Sequence, residues 1–318
     1  MKFILLGTSE FALRCAEAVR DSGEEICALV SMPVHALPIN SADLSSFARA
    51  HGIPFYEVED VNAPQAVTLI RGYRPDYILV SWPKLLSKDI LDSPQFYCIG
   101  THPTALPFNR GRHPLHWLIA LGIPQTKLSF FCIDGGVDTG RVLLQVPFEI
   151  HHGDTIRNVV AKMNQAAYDG TRLLCDRLKD DPGFEGEAQN HSDANTWRKR
   201  TPHDVTLDLR MSASTIVRTV RSFTQPYPCA NLLFESILIK VSDADLVQTD
   251  VMVESLRRLE PGKIIHIHGK TITVKVDDGL VALTAKDALP EAILSAKYIH
   301  PPSRYLLKWP EAFSAYLA

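Results

Sequence analysis

Short apolar runs alternate with amphipathic stretches through the first hundred residues, and this alternation most constrains the fold. Residues 3–6 form an apolar run ending in Gly7-Thr8, and residues 11–19 then carry apolar side chains at helical spacing. Residues 26–30 repeat the strand signal, 44–51 read as a helix, and 53–56 as a short edge strand. Residues 66–71 continue as helix, 77–80 as a buried strand, and 97–100 as the next strand. Strands and helices in this order predict a doubly wound α/β fold with a largely parallel sheet. His102 then falls just past a strand's C-terminal end, where open sheets of this kind bind ligands.

Further on, Pro114 starts a helix over 114–121, and 128–133 pairs with 142–148 as a hairpin across the Gly135–Gly140 turn. Residues 155–179 read as a long helix capped by Asp154. The stretch 180–201 is rich in Asp, Gly, Asn and Ser and has little periodicity, so it reads as an interdomain linker. A helix over 212–223 precedes short strands at 232–241, 263–268, 271–276 and 280–284, the pattern of a small β-barrel or sandwich. The expected division is a catalytic domain over 1–185, a linker over 186–203 and a β domain over 204–318.

Composition excludes some partners. The 318 residues hold 33 Lys plus Arg against 36 Asp plus Glu, a net charge of -3. From Thr201 onward the count is 13 of each sign. Such a balance offers no basic field for nucleic acid or anionic lipid. The six cysteines form no C-x-x-C pair and read as buried thiols. The apolar start is too short for a signal peptide, and no run is long enough to span a bilayer, so a cytoplasmic protein without membrane contact is expected. No metal is expected. His266 and His268 share a strand face, but two donors without a third are weak.

The chemistry concentrates in Thr101-His102-Pro103-Thr104-Ala105-Leu106-Pro107 and in Asp134-Gly135-Gly136-Val137-Asp138-Thr139-Gly140. An imidazole and a carboxylate on neighbouring loops can carry protons during attack on a carbonyl. Read alone, Asp138 serves equally as a turn former beside Thr139-Gly140. These two segments, the opening Leu5-Leu6-Gly7-Thr8-Ser9-Glu10-Phe11-Ala12, the run from Asn109 to Trp117, and Thr224-Gln225-Pro226-Tyr227-Pro228 occur in one order and spacing. Together they resemble the 10-formyltetrahydrofolate-dependent formyltransferases, in the layout of the methionyl-tRNA enzymes, over nearly the full chain.

The resemblance implies a Rossmann-like catalytic domain followed by an OB-like β domain, with 10-formyltetrahydrofolate as cosubstrate and no metal. It implies that an amine attacks the formyl carbon and that the tetrahedral intermediate collapses to the N-formyl product. His102 matches the histidine that stabilises the oxyanion and protonates the leaving folate nitrogen. Asp138 matches the aspartate that orients it and helps take the amine proton. Folate recognition falls on Lys84, Leu85 and Leu86 and on Ile133, Asp134, Gly135, Gly136 and Val137. Leu85 and Leu86 can also be read as core, for Leu86 equally well; Trp117 reads as core, and Trp82 as lining the folate entrance.

The chain departs from the family two residues before His102, where Gly100 replaces an asparagine whose amide holds the oxyanion. Losing one such donor costs about 3 kcal/mol of transition-state stabilisation. Three explanations are open: substitution by the side chain of Asn109, Thr104 or His113, an inward backbone amide, or weak catalysis. Asn109 is the first candidate on chemistry and is counted as catalytic. Thr104, Arg110, Arg112 and His113 are the expected substrate contacts, since guanidinium groups grip phosphate or carboxylate bidentately.

The Asn-Arg-Gly-Arg-His-Pro-Leu run resembles relatives that formylate amino sugars on nucleotides. The loop over 32–40 also lacks the Lys and Arg that the tRNA enzymes insert there. The expected acceptor is therefore a nucleotide-linked amino deoxysugar of surface-polysaccharide synthesis, with no nucleic-acid partner. The alternatives are methionyl-tRNA, a hydroxylamine of siderophore assembly, and a non-catalytic folate-binding relative. The C-terminal domain is expected either to form a homodimer or to complete the acceptor pocket.

Overall fold

The first half of the chain builds one sheet around central strands that are apolar on both faces. The elements are β1 (Lys2–Gly7), α1 (Glu10–Asp21), β2 (Glu25–Ser31), α2 (Leu44–Ala50), β3 (Phe55–Glu57), α3 (Pro64–Gly72), β4 (Tyr77–Ser81), α4 (Lys88–Leu91) and β5 (Tyr97–His102). They continue through β6 (Arg110–Gly111), α5 (Pro114–Leu121), β7 (Gln125–Cys132), β8 (Val142–Glu149), α6 (Ile156–Asp180) and β9 (Thr196–Trp197). The computed structural model describes residues 1–38, 41–248 and 253–308, so the last two positions of the 32–40 loop and the end of the C-terminal domain lie outside the described residues.

The seven-stranded sheet runs β3-β2-β1-β4-β5-β7-β8. The pairs from β3 to β5 are parallel, whereas β7 is antiparallel to both neighbours. β1, β2 and β4 are buried almost throughout, as a parallel sheet covered on both faces requires. The order reverses between β1 and β4, which leaves a crevice at their C-terminal ends.

The chain falls into two compact units. One contains residues 1–114, 125–149 and 160–198; the other contains 115–124, 150–159 and everything from Lys199 on. In the second unit, α7 (Ala213–Arg221) precedes the strands β10 (Ala230–Phe234), β11 (Ile237–Leu246), β12 (Ile264–His268), β13 (Thr271–Lys275) and β14 (Leu280–Ala285). These five form an antiparallel sheet ordered β10-β11-β14-β13-β12. Ile216, Val217 and Val220 of α7 share a core with Leu232, Val241, Val274 and Leu283. His116 and Trp117 belong here as packing groups: His116 Nδ1 donates to the Ser222 carbonyl (2.6 Å), and Arg200 stacks on Trp117 at 5.0 Å.

Several expectations shift. His102 is the last residue of β5 and not beyond it, because pairing with β7 carries on through Thr101↔Phe130 and His102↔Ser129. The single strand over 232–241 is a hairpin turning at Glu235-Ser236, where Glu235 takes φ +53°; without Gly or Asn there, no turn signal was visible. Asp154 closes the turn before α6 by accepting from the His151 N–H (2.7 Å), while Asn158 Oδ1 accepts from the Thr155 N–H (2.9 Å). The largest change concerns the linker: residues 180–198 are built into the first unit, with β9 paired to β6.

Candidate active site

Three strand ends converge on a cleft of about 400 Å³. Thr8 and Ser9 follow β1, Ser81 ends β4 and Trp82 to Leu86 follow it, and Gly100 and Thr101 lie at the end of β5; Phe131, Ile133, Gly136, Val137 and Asp138 complete the wall. A cavity of this size that sets polar groups among apolar walls suits a small molecule.

His102 is only 5% exposed. Its Nε2 lies 2.8 Å from the Asn109 carbonyl oxygen. A carbonyl only accepts, so Nε2 carries the proton and Nδ1 is left basic. Nδ1 faces Asp138 Oδ2 at 3.6 Å. Burial pulls the imidazole below its ordinary pKa, and the Asp138 carboxylate and the Asn109 carbonyl partly oppose this. The ring is therefore neutral at pH 7, with a carboxylate beside its basic nitrogen.

Asp138 is held by its backbone as much as by its partner. Its φ is +54°, a left-handed conformation that Asp tolerates better than most residues. Its Oδ2 accepts the Gly111 N–H (2.9 Å). Gly111 itself has φ +98°, and a Cβ there would lie 2.4 Å from the Trp197 carbonyl oxygen, so only glycine fits.

Gln189 donates its amide Nε2 to the carbonyls of Asp138 (3.0 Å) and Gly140 (2.6 Å), and its Oε1 accepts from Arg110 Nη2 (2.6 Å). Asn195 Oδ1 accepts the Asn109 N–H (2.8 Å), and its Nδ2 donates to Asn109 Oδ1 (3.0 Å). Gln189 and Asn195 thus fix the loops that carry Asp138 and Asn109, and the sequence reading missed both. Their only sequence signal was a cluster of amide side chains in an apparent linker.

The cleft brings together Lys84, Leu85, Leu86, Ile133, Gly136, Val137 and Asp138. Leu86 and Ile133 also pack against the core of Ile4, Leu6, Ile78 and Val80, and Leu85 is 80% exposed at the rim. Asp134 faces inward to its own turn, accepting from the Gly136 N–H and the Thr139 hydroxyl, and Gly135 is exposed. Neither lines the cleft. Thr104 is fully buried and donates its hydroxyl to the Phe108 carbonyl (2.7 Å). Arg110 is buried with Gln189 and His191, Arg112 is exposed, and His113 takes φ +56°.

The three side chains considered as stand-ins for the missing amide, Asn109, Thr104 and His113, are not among the cleft-lining residues, and neither is His102, which meets the cleft wall through Asp138, 3.6 Å from its Nδ1. Asn109 instead acts on His102 through its carbonyl. The space beside Gly100 is also filled: a Cβ there would lie 2.8 Å from both Phe131 Cζ and Ile133 Cγ1.

The family model described as formyl transferase matches residues 1–173, and that described as formyl transferase, C-terminal domain, matches residues 199–313. The chain belongs to the formyltransferase family. This formyltransferase is 28% identical over 290 residues to the methionyl-tRNA formyltransferase of Pseudothermotoga lettingae, covering 89% of this chain and 90% of that protein. It is 30% identical over 248 residues to the methionyl-tRNA formyltransferase of Citrifermentans bemidjiense, covering 76% and 77%. The N-formyltransferase of Helicobacter canadensis, solved with folinic acid and dTDP-3-aminofucose, shares the fold at TM-score 0.64 and 14% identity, covering 90% of this chain and all of that one. The enzyme uses formyl-folate as its donor. The cleft fits such a group: Leu86, Ile133 and Val137 offer apolar walls, and Ser81, Lys84 and Thr101 set polar groups among them.

Proposed function

We propose that this formyltransferase moves the formyl group of 10-formyltetrahydrofolate to the primary amine of a nucleotide-linked amino deoxysugar. The observation that carries the transfer chemistry is the buried His102 with its basic Nδ1 3.6 Å from Asp138, which lines the cleft. Bound formyl-folate supplies an activated one-carbon electrophile. His102 Nδ1 takes the proton that the attacking amine loses as its N–C bond forms. The Asp138 carboxylate stabilises the resulting imidazolium, and the Asn109 carbonyl keeps the ring in register. His102 then returns that proton to the folate nitrogen as its bond to the formyl carbon breaks, so no net proton is consumed.

The acceptor assignment rests on charge. The net charge of -3, the balanced C-terminal domain and the absence of Lys and Arg from residues 32–40 favour a small acceptor over a polyanion. A sugar nucleotide's two phosphates need a local cation, and exposed Arg112, beside buried Arg110, supplies one. Methionyl-tRNA is the second reading, favoured by the curated relatives. Incubation with 10-formyltetrahydrofolate and a panel of dTDP- and UDP-linked amino sugars or methionyl-tRNA, followed by tetrahydrofolate release, tests both. Formylation of methionyl-tRNA alone would refute the sugar acceptor. His102→Ala is expected to abolish transfer without unfolding the protein.

A further inference from the structure

A neutral imidazole has two tautomers, and only one of its nitrogens can act as a base. In His102 two acceptors of different strength compete for the single proton. Nε2 faces the Asn109 carbonyl oxygen at 2.8 Å, and Nδ1 faces Asp138 Oδ2 at 3.6 Å. A hydrogen bond to a carboxylate is roughly twice as strong as one to a neutral acceptor. The proton would therefore settle on Nδ1 if Asp138 came within bonding range. At 3.6 Å it does not, and its Oδ2 is engaged by the Gly111 N–H. The proton stays on Nε2 only while the Asn109 carbonyl is aimed at that nitrogen.

Asn109 does not set this aim alone. Its φ of +60° lies in the left-handed region, which a side-chain-bearing residue occupies at a cost. Asn195 holds it there from both sides. The Asn195 Oδ1 accepts the Asn109 N–H (2.8 Å), its Nδ2 donates to Asn109 Oδ1 (3.0 Å), and its main-chain carbonyl accepts the Arg110 N–H (3.0 Å). That last N–H shares a planar peptide unit with the Asn109 carbonyl, so fixing one orients the other. The Thr104 hydroxyl, 3.3 Å from the same oxygen, gives its one hydrogen to the Phe108 carbonyl at 2.7 Å. The Asn109 oxygen is left to His102.

We propose that Asn195 is a positioning residue that decides which nitrogen of His102 is basic, by holding the Asn109 carbonyl against Nε2. The inference rests on the role of His102 in formyl transfer proposed above. With Nε2 protonated, the basic Nδ1 lies beside Asp138 at the cleft wall and can take the proton of the attacking amine. With Nδ1 protonated, the basic nitrogen would face a carbonyl that has no proton to give, and transfer would stall.

Two-bond 1H–15N correlations of the imidazole read the tautomer in the 15N-labelled full chain at about pH 8, above the usual imidazole range. The His102 signals are those absent from His102→Ala. Asn195 is exposed, so Asn195→Ala removes two hydrogen bonds without opening the core. Wild type is expected in the Nε2–H form. Asn195→Ala is expected as a mixture with the Nδ1–H form, with kcat about fivefold lower and the Kd for folinic acid unchanged. Asn195→Asp keeps an acceptor for the Asn109 N–H, and a turned Asn109 amide can donate to its second oxygen. It is expected to restore the Nε2–H form and most of the lost kcat.

Wild type in the Nδ1–H form overturns the proposal. So does an Asn195→Ala protein that keeps the wild-type tautomer, whatever its kcat, and so does a changed tautomer at unchanged kcat. Near-normal turnover in His102→Ala would instead refute the transfer reading and leave the tautomer result standing.

Discussion

Restoring the family residue at position 100 is expected to harm this enzyme, and the structure gives the size of the penalty. A Cβ on residue 100 would sit 2.8 Å from Phe131 Cζ, 3.1 Å from Phe131 Cε1 and 2.8 Å from Ile133 Cγ1. Carbon atoms at ease are about 3.5–4.0 Å apart, and Gly100→Asn adds a whole amide beyond that Cβ. Both neighbours would have to move, and Phe131 is buried between the strands flanking β7. Overpacking of this kind costs roughly 1–3 kcal/mol. At about 2 kcal/mol, a domain of this size loses roughly 4–8 °C in Tm.

Thermal and urea unfolding of Gly100→Asn against wild type read the loss. Phe131→Leu removes both ring atoms that collide, so adding it to Gly100→Asn should recover part of the stability, with a coupling of about 0.5–3 kcal/mol. Recovery stays partial because Ile133 still crowds the position. A Gly100→Asn protein as stable as wild type would refute the idea that the aromatic ring occupies the vacated space. So would strict additivity of the two substitutions.

Three more outcomes follow from the site. Burial lowers the His102 pKa, so as pH falls the unfolded chain's imidazole protonates first, near pH 6.5. Stability should therefore decline as pH drops from 6.5 through the folded-state value; Asp138→Asn, which removes the opposing carboxylate, should shift the His102 NMR titration to lower pH, and an upward shift would contradict this. Asn62→Ala removes two clamps on the loop after β4, its bonds to the Leu85 carbonyl and the Ser87 N–H, and should raise the Kd for folinic acid several-fold, with kcat little changed; unaltered binding would show that the loop holds its shape unaided.

How far the sequence carried is clearest residue by residue. Strands such as β1, β2 and β4 were legible because two buried faces require continuous apolar runs, and His102 and Asp138 because their flanking motifs occur in a fixed order. Gln189 and Asn195 were not legible. They act through amide hydrogen bonds to residues 49 to 86 positions away in sequence, and no local period reports such contacts. Gly100 could be seen as a missing amide, but its meaning lies in Phe131, its cross-strand partner on β7. Pairing partners across an antiparallel register are fixed by the fold and leave no mark on either segment alone.

The amide bridges of Gln189 and Asn195 also set when the enzyme becomes an enzyme. A growing chain emerging from the ribosome has all seven strands of the sheet by Glu149, long before it has Gln189, Asn195 or β9. Until that late strap arrives, Asp138 and Asn109 lack the anchors that aim them at His102. The strands of the sheet are thus complete in sequence well before the contacts that hold Asp138 and Asn109 beside His102, and the order of synthesis puts the scaffold first and the aim of its candidate site last.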